Sequence, residues 1–112
     1  MSSQTVEWRH LLHRIPETGF EERETADAVA EILTGLGVEH VRGVGGTGIV
    51  ASLRRGSSDR AIGLRADMDG LPIGEQTGLP YSSEHADRMH ACGHDGHMAM
   101  VLSAAARLLD EG

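Results

Sequence analysis

The chain has 112 residues, the size of one domain, and with 39% hydrophobic, 24% charged and 3% aromatic residues it has a globular composition rather than a disordered one. It has no apolar run of about 18 residues to cross a bilayer. Its formal net charge is -7, and its ten basic side chains are scattered arginines with no lysine, so nucleic acid and anionic membrane are poor partners. The single Cys92 excludes an intramolecular disulfide, and Met1-Ser2-Ser3-Gln4 has none of the features of a signal peptide. A soluble protein of the reducing cytoplasm is the expectation.

Trp8, Leu11, Leu12 and Ile15 stand at i, i+3, i+4 and i+7, which predicts a first helix over about Ser3 to Arg14, closed by Pro16. Val29, Ile32, Leu33 and Leu36 repeat that spacing and predict a second helix, with Gly35 and Gly37 as left-handed stops. The short apolar runs Val38 to Val41, Ile49 to Leu53 and Ala61 to Ala66, divided by Gly, Ser and Asp, predict three strands. Between the first two lies Gly43-Val44-Gly45-Gly46-Thr47-Gly48, which fits the G-x-G-x-x-G spacing. A phosphate-cradling loop must open a helix, whereas Ile49 to Leu53 reads as a strand, so a glycine-rich connection between strands is the better reading.

From Asp67 to His90 no period is sustained, and a loop of that length inside a compact domain points to function. A third helix is predicted from about Gly96, with Met98, Val101, Leu102, Ala105, Leu108 and Leu109 on one face. The expected order is α-α-β-β-β-loop-α, an α/β chain.

The long loop joins the two segments richest in chemistry. His90-Ala91-Cys92-Gly93-His94-Asp95-Gly96-His97 packs three imidazoles, a thiol and a carboxylate into eight residues. Cys92 and His94, two apart, can converge on one ion, and a thiolate with an imidazole favours zinc or a similar borderline metal over magnesium or calcium. Asp95 can ligate or orient an imidazole. The alternative is a buried free cysteine beside surface histidines. Asp67 and Asp69, in Arg65-Ala66-Asp67-Met68-Asp69, fall where the third strand runs out, a place where α/β sheets collect ligands; the alternative there is a solvated turn before Gly70. His13 reads as an ordinary solvated or capping histidine on the first helix, and His10, His40 and His85 carry no signal.

Taken in order, Leu12-His13-Arg14-Ile15-Pro16-Glu17, Phe20-Glu21-Glu22, Gly45-Gly46-Thr47-Gly48, Leu64-Arg65-Ala66-Asp67-Met68-Asp69-Gly70-Leu71-Pro72-Ile73 and Met89-His90-Ala91-Cys92-Gly93-His94-Asp95-Gly96-His97 resemble one family. It is the amidohydrolase branch of the aminoacylase and carboxypeptidase-like metallopeptidases, which includes hippurate hydrolases, N-acyl-amino-acid amidohydrolases and auxin-conjugate hydrolases. The resemblance implies a zinc-peptidase-like α/β catalytic domain, interrupted in the full-length enzyme by an inserted dimerisation or lid domain.

The implied reaction is hydrolysis of the amide of N-acylated amino acids at a dinuclear site of divalent metal, whether zinc, manganese, cobalt or nickel. Carried over residue by residue, Cys92 and His94 look like metal ligands and Asp69 like the catalytic carboxylate that supports the site; Asp67, Asp95 and His97 lie within the motifs as candidate outer partners. A homo-oligomer at full length is implied as well. Relatives run longer, so residues 1–112 are expected to be a partial catalytic domain, with the glutamate pair and further histidines supplied downstream and the fragment inactive by itself.

Two other readings stay open. One is a non-catalytic remnant used as a binding or assembly module. The other is a cysteine hydrolase with Cys92 as nucleophile, ranked last because a base two residues away is sterically awkward.

Overall fold

A computed structural model describes residues 3–111. The elements run α1 (Ser3–His13), α2 (Arg23–Leu36), β1 (Glu39–Val44), β2 (Gly48–Ser52) and α3 (His94–Glu111). α1 packs along α3, while α2 lies across the hairpin of β1 and β2 and touches α3. The core is a single cluster of Leu12, Val29, Leu33, Val38, Met98 and Leu102, with Trp8, Ile32, Leu36, Met68 and Leu109 packed against it.

The helices follow the apolar spacing, with corrections at their ends. α1 stops at His13, before Ile15, because the residue ahead of Pro16 is barred from helical backbone. Leu11 sits at the exposed edge of the stripe, whereas Leu12 is fully buried. Gly37 ends α2 with a left-handed φ of 76°, and the amides of Gly37 and Val38 donate to Thr34 O and Leu33 O. Gly35 is an ordinary helical residue, not a stop. α3 begins at His94, two residues before the predicted start, and His97 N–H donates to Gly93 O at 3.0 Å as the first helical bond.

The glycine-rich run is the connection of an antiparallel hairpin. Val41 pairs with Val50 and Glu39 with Ser52, a bulge falls between Arg42 and Val44, and Gly43 takes a φ of 76° there. At Gly48 a Cβ would stand 2.5 Å from the carbonyl oxygen of Val44, so the turn admits only glycine.

The third strand is not formed. Ala61 to Ala66 makes no ladder with either strand, and Ile62 is 91% exposed. An apolar run becomes a strand only where a partner offers its backbone, and the hairpin pairs with itself; Ala66 and Met68 touch the core without joining a sheet. The order among the described residues is therefore α-α-β-β-loop-α, still an α/β chain.

Candidate metal-binding site

The long loop is held by a few backbone bonds that bring the sequence motifs together. Leu71 and Met89 exchange N–H···O bonds at 2.8 and 3.0 Å, an isolated antiparallel bridge that sets Asp69 close to the segment beginning at His90. Gly70 N–H donates to Glu17 O at 2.7 Å, tying the same point to the turn after α1. The backbones approach so closely that a Cβ on Gly70 would lie 3.0 Å from Pro16 Cβ and 3.2 Å from Met89 O. Glu17 is itself buried: its carboxylate accepts from the amides of Glu24 at 3.0 Å and Thr25 at 2.7 Å, satisfying the open amides at the start of α2.

At the centre stands His94. Its Nδ1 lies 2.8 Å from the carbonyl oxygen of Asp69 and 3.1 Å from Asp69 Oδ1. A carbonyl oxygen only accepts, so Nδ1 donates to it and Nε2 is the nitrogen turned toward a metal, the arrangement that supports a ligating imidazole. Nε2 in turn lies 4.0 Å from Asp67 Oδ2. Donors each about 2.1 Å from one tetrahedral ion stand about 3.4 Å apart, so His94 and Asp67 face each other somewhat beyond that spacing. The Asp67 carboxyl is held below its ordinary value, first by hydrogen bonding to Arg65 at 2.8 Å and then by the Arg65 charge.

Cys92 is a free, exposed thiol next to Gly93, whose φ of 85° turns the chain into α3. It is not the buried structural cysteine of the alternative reading. His97 is exposed, with its ring 5.9 Å from that of His94. The structure thus gathers Asp67, Asp69, His94 and His97 around one place, with Cys92 two residues from His94. Thiolate, imidazole and carboxylate donors are the set a borderline divalent ion takes, and in this the residues fit such a metal. Among the described residues, no three His, Cys, Asp or Glu side chains are close enough together to hold an ion by themselves.

Asp95 is placed otherwise. It is 1% exposed, and its Oδ2 accepts from His13 Nδ1 at 2.8 Å and from Arg9 Nε at 3.1 Å. Burial works to raise its pKa, but the bonds from His13 and the Gly96 amide hold it below the ordinary value. It orients an imidazole, that of His13 and not one in its own motif.

The reading of His13 as a solvated histidine is corrected. The ring is 2% exposed, and its Nε2 meets Glu75 Oε1 at 2.9 Å. Glu75 is a buried partner that sequence reasoning missed; its one signal is that it is acidic and lies in the long loop. Burial opposes its ionisation, yet bonds from Thr77, the Ser83 amide and His13 bring its pKa down to about 2. His90 is also buried, neither ring nitrogen has a hydrogen-bond partner among the described residues, and desolvation lowers its pKa.

The family described as Peptidase family M20/M25/M40 matches residues 63–111, which contain both motif strings. The hippurate hydrolase of Campylobacter jejuni is 50% identical over 103 residues, 92% of this chain and 27% of that protein. An N-acetyldiaminopimelate deacetylase of Streptococcus pneumoniae is 46% identical over 110 residues, 95% of this chain and 29% of that protein. Among solved structures, the YXEP protein of Bacillus subtilis, described as a dinuclear metal binding peptidase from the M20 family, matches with a TM-score of 0.92 at 35% identity, over 97% of this chain and 31% of that one. The chain spans less than a third of the length of the curated relatives it matches. The family resemblance and the α/β class read from the motifs are borne out.

Proposed function

We propose that this chain forms the amino-terminal part of the catalytic domain of a metal-dependent amidohydrolase related to the M20/M25/M40 peptidases, cleaving the amide bond of N-acylated amino acids. The observation that carries the reading is His94: Asp69 fixes its Nδ1, leaving Nε2 free and facing Asp67, two residues from an available thiol. Cys92 and His94 are the ligands in this proposal, and Asp69 holds the imidazole in its ligating tautomer. Asp67 and His97 border the same place. A divalent metal bound there supplies the polarised water and the Lewis acid that amide hydrolysis needs.

Names of relatives favour small N-acyl substrates, hippurate in one case and N-acetyldiaminopimelate in the other. The partial shell at Cys92 and His94 fits a site completed by other parts of a longer enzyme. A reducing compartment belongs to the proposal, because the thiol must stay reduced to ligate. The test is hydrolysis of hippurate and of N-acetyl amino acids by the longer enzyme carrying this segment, before and after chelation and metal return. Activity indifferent to chelators, or surviving His94→Ala at the full rate, would overturn the reading.

A further inference from the structure

We propose that His13 is a positioning residue for the candidate ligand segment: a strut between Glu75 and Asp95 that fixes the first turn of α3, and with it His94 and Cys92. The inference rests on the reading of that segment given above.

Both ring nitrogens of His13 face carboxylates, Nδ1 toward Asp95 Oδ2 at 2.8 Å and Nε2 toward Glu75 Oε1 at 2.9 Å. One ring thus links two carboxylates directly, one through each nitrogen. Its partners come from separate parts of the chain, Glu75 from the long loop and Asp95 from the start of α3, while His13 is the last residue of α1. The side chains of His13, Glu75 and Asp95 are each 3% exposed or less, so these groups stand in a dry setting where one unpaired member is costly. Without His13, Asp95 keeps the half-exposed Arg9 and the Gly96 amide, and Glu75 keeps the neutral Ser83 amide and Thr77 hydroxyl.

Asp95 directly follows His94 in the helix. Successive helical side chains diverge by about 100°, so the first turn of α3 is pinned from two directions, at His94 by Asp69 and at Asp95 by His13. The loop that carries Glu75 is docked on the end of α1 by Glu84 N–H to Arg14 O at 2.7 Å and by Tyr81, stacked on His10 at 3.7 Å. The strut therefore lies where α1, the loop and α3 meet, beside the ligand segment and not in it.

The test uses the whole chain with nitrogen-labelled histidine, read by ring nitrogen resonances and by cobalt(II) titration, with the thiolate-to-cobalt absorption reporting Cys92. In the unaltered chain His94 shows the single Nδ1–H tautomer. In His13→Gln, whose amide serves one carboxylate but not both, His94 moves to a mixture of tautomers and cobalt affinity falls by about 10–100-fold, while circular dichroism shows the chain folded. Glu75→Gln keeps an acceptor for Nε2 without the charge, gives a smaller change in the same sense, and serves as the test if His13→Gln does not fold.

His94 resonances unchanged in folded His13→Gln, or in Glu75→Gln where that chain is unfolded, overturn the inference. If the unaltered chain takes up no cobalt while its His94 resonances still follow His13, the positioning role stands and the metal-site reading falls.

Discussion

The amide of Gly70 donates to the carbonyl of Glu17 across 2.7 Å, joining the turn after α1 to the aspartate motif with no room for a side chain between them. Gly70→Ala must push against Pro16 Cβ at 3.0 Å and the Met89 backbone at 3.2 Å, neither of which is a flexible tip. The expected cost is about 1–3 kcal/mol, the usual penalty of overpacking. Denaturant unfolding measures it, and a variant as stable as the parent would show that the motifs are not locked together here.

Glu17 ought to matter nearly as much through its side chain. Its buried carboxylate accepts from two amides at the start of α2 and from the Thr25 hydroxyl at 2.8 Å, the two bonds from Thr25 fully buried. Glu17→Ala leaves those donors unsatisfied and should cost about 1–3 kcal/mol. In a domain of this size each kcal/mol lowers the melting temperature by roughly 4 °C or more. A melting temperature within a degree or so of the parent's would contradict the capping role.

Glu75 predicts the behaviour in acid. Its carboxyl lies at about 2 in the folded chain against 4.5 for an unhindered glutamate, so folding favours the ionised form. Stability from this group is complete above the unfolded value and is lost as pH falls from about 4.5 toward about 2. Asp95, also depressed, adds a loss of the same sign below its ordinary value of 3.8. Unfolding midpoints measured down this range should fall, and Glu75→Gln should flatten the fall; an equal slope in the variant would remove Glu75 from the explanation.

Helices and hairpin were legible in the sequence because apolar spacing and glycine conformation are local. The G-x-G-x-x-G run was separable from a phosphate loop because the strand after it could be read from Ile49-Val50-Ala51. The strand expected at Ala61 to Ala66 was not formed, because strand pairing depends on a neighbour that an apolar run does not specify. The cluster from His90 to His97 stood out as a candidate through density alone. The burial of His13 could not be read locally: its partners lie 62 and 82 positions away, and a histidine beside Pro16 looks solvated until the loop with Glu75 folds over it. Asp95 misled in the same way, since its motif neighbours are histidines but its contacts come from α1.

Cys92→Ser bears on the ligand assignment most directly. A serine hydroxyl stays protonated near neutral pH and is a far poorer ligand than a thiolate, and Cys92 is exposed enough that the change leaves no cavity. Metal affinity should fall by more than the roughly 10–100-fold that losing an outer partner costs, with the melting temperature of the metal-free chain unchanged. Equal metal uptake by the serine variant would remove Cys92 from the ligand set.

The last prediction concerns association. Ile62 is 91% exposed, Leu64 60%, Val50 52% and Leu108 48%, and Ile62, Leu64 and Leu108 line an apolar cleft that runs down to Met68, Met98 and Leu102 in the core. The hairpin is a two-stranded sheet whose outer edges are unpaired among the described residues, leaving backbone donors and acceptors available to another strand. Burying a side chain of this size contributes about 1.5–3 kcal/mol, so covering three or four of them on each copy is enough to drive association of an otherwise small domain. The 112-residue chain should sediment as dimers or larger species, increasingly so with concentration. Ile62→Ser with Leu64→Ser should move it toward monomer without loss of helix content, because neither side chain belongs to the buried core cluster. A parent chain that remains a cooperative monomer as its concentration rises would show that the cleft closes on itself.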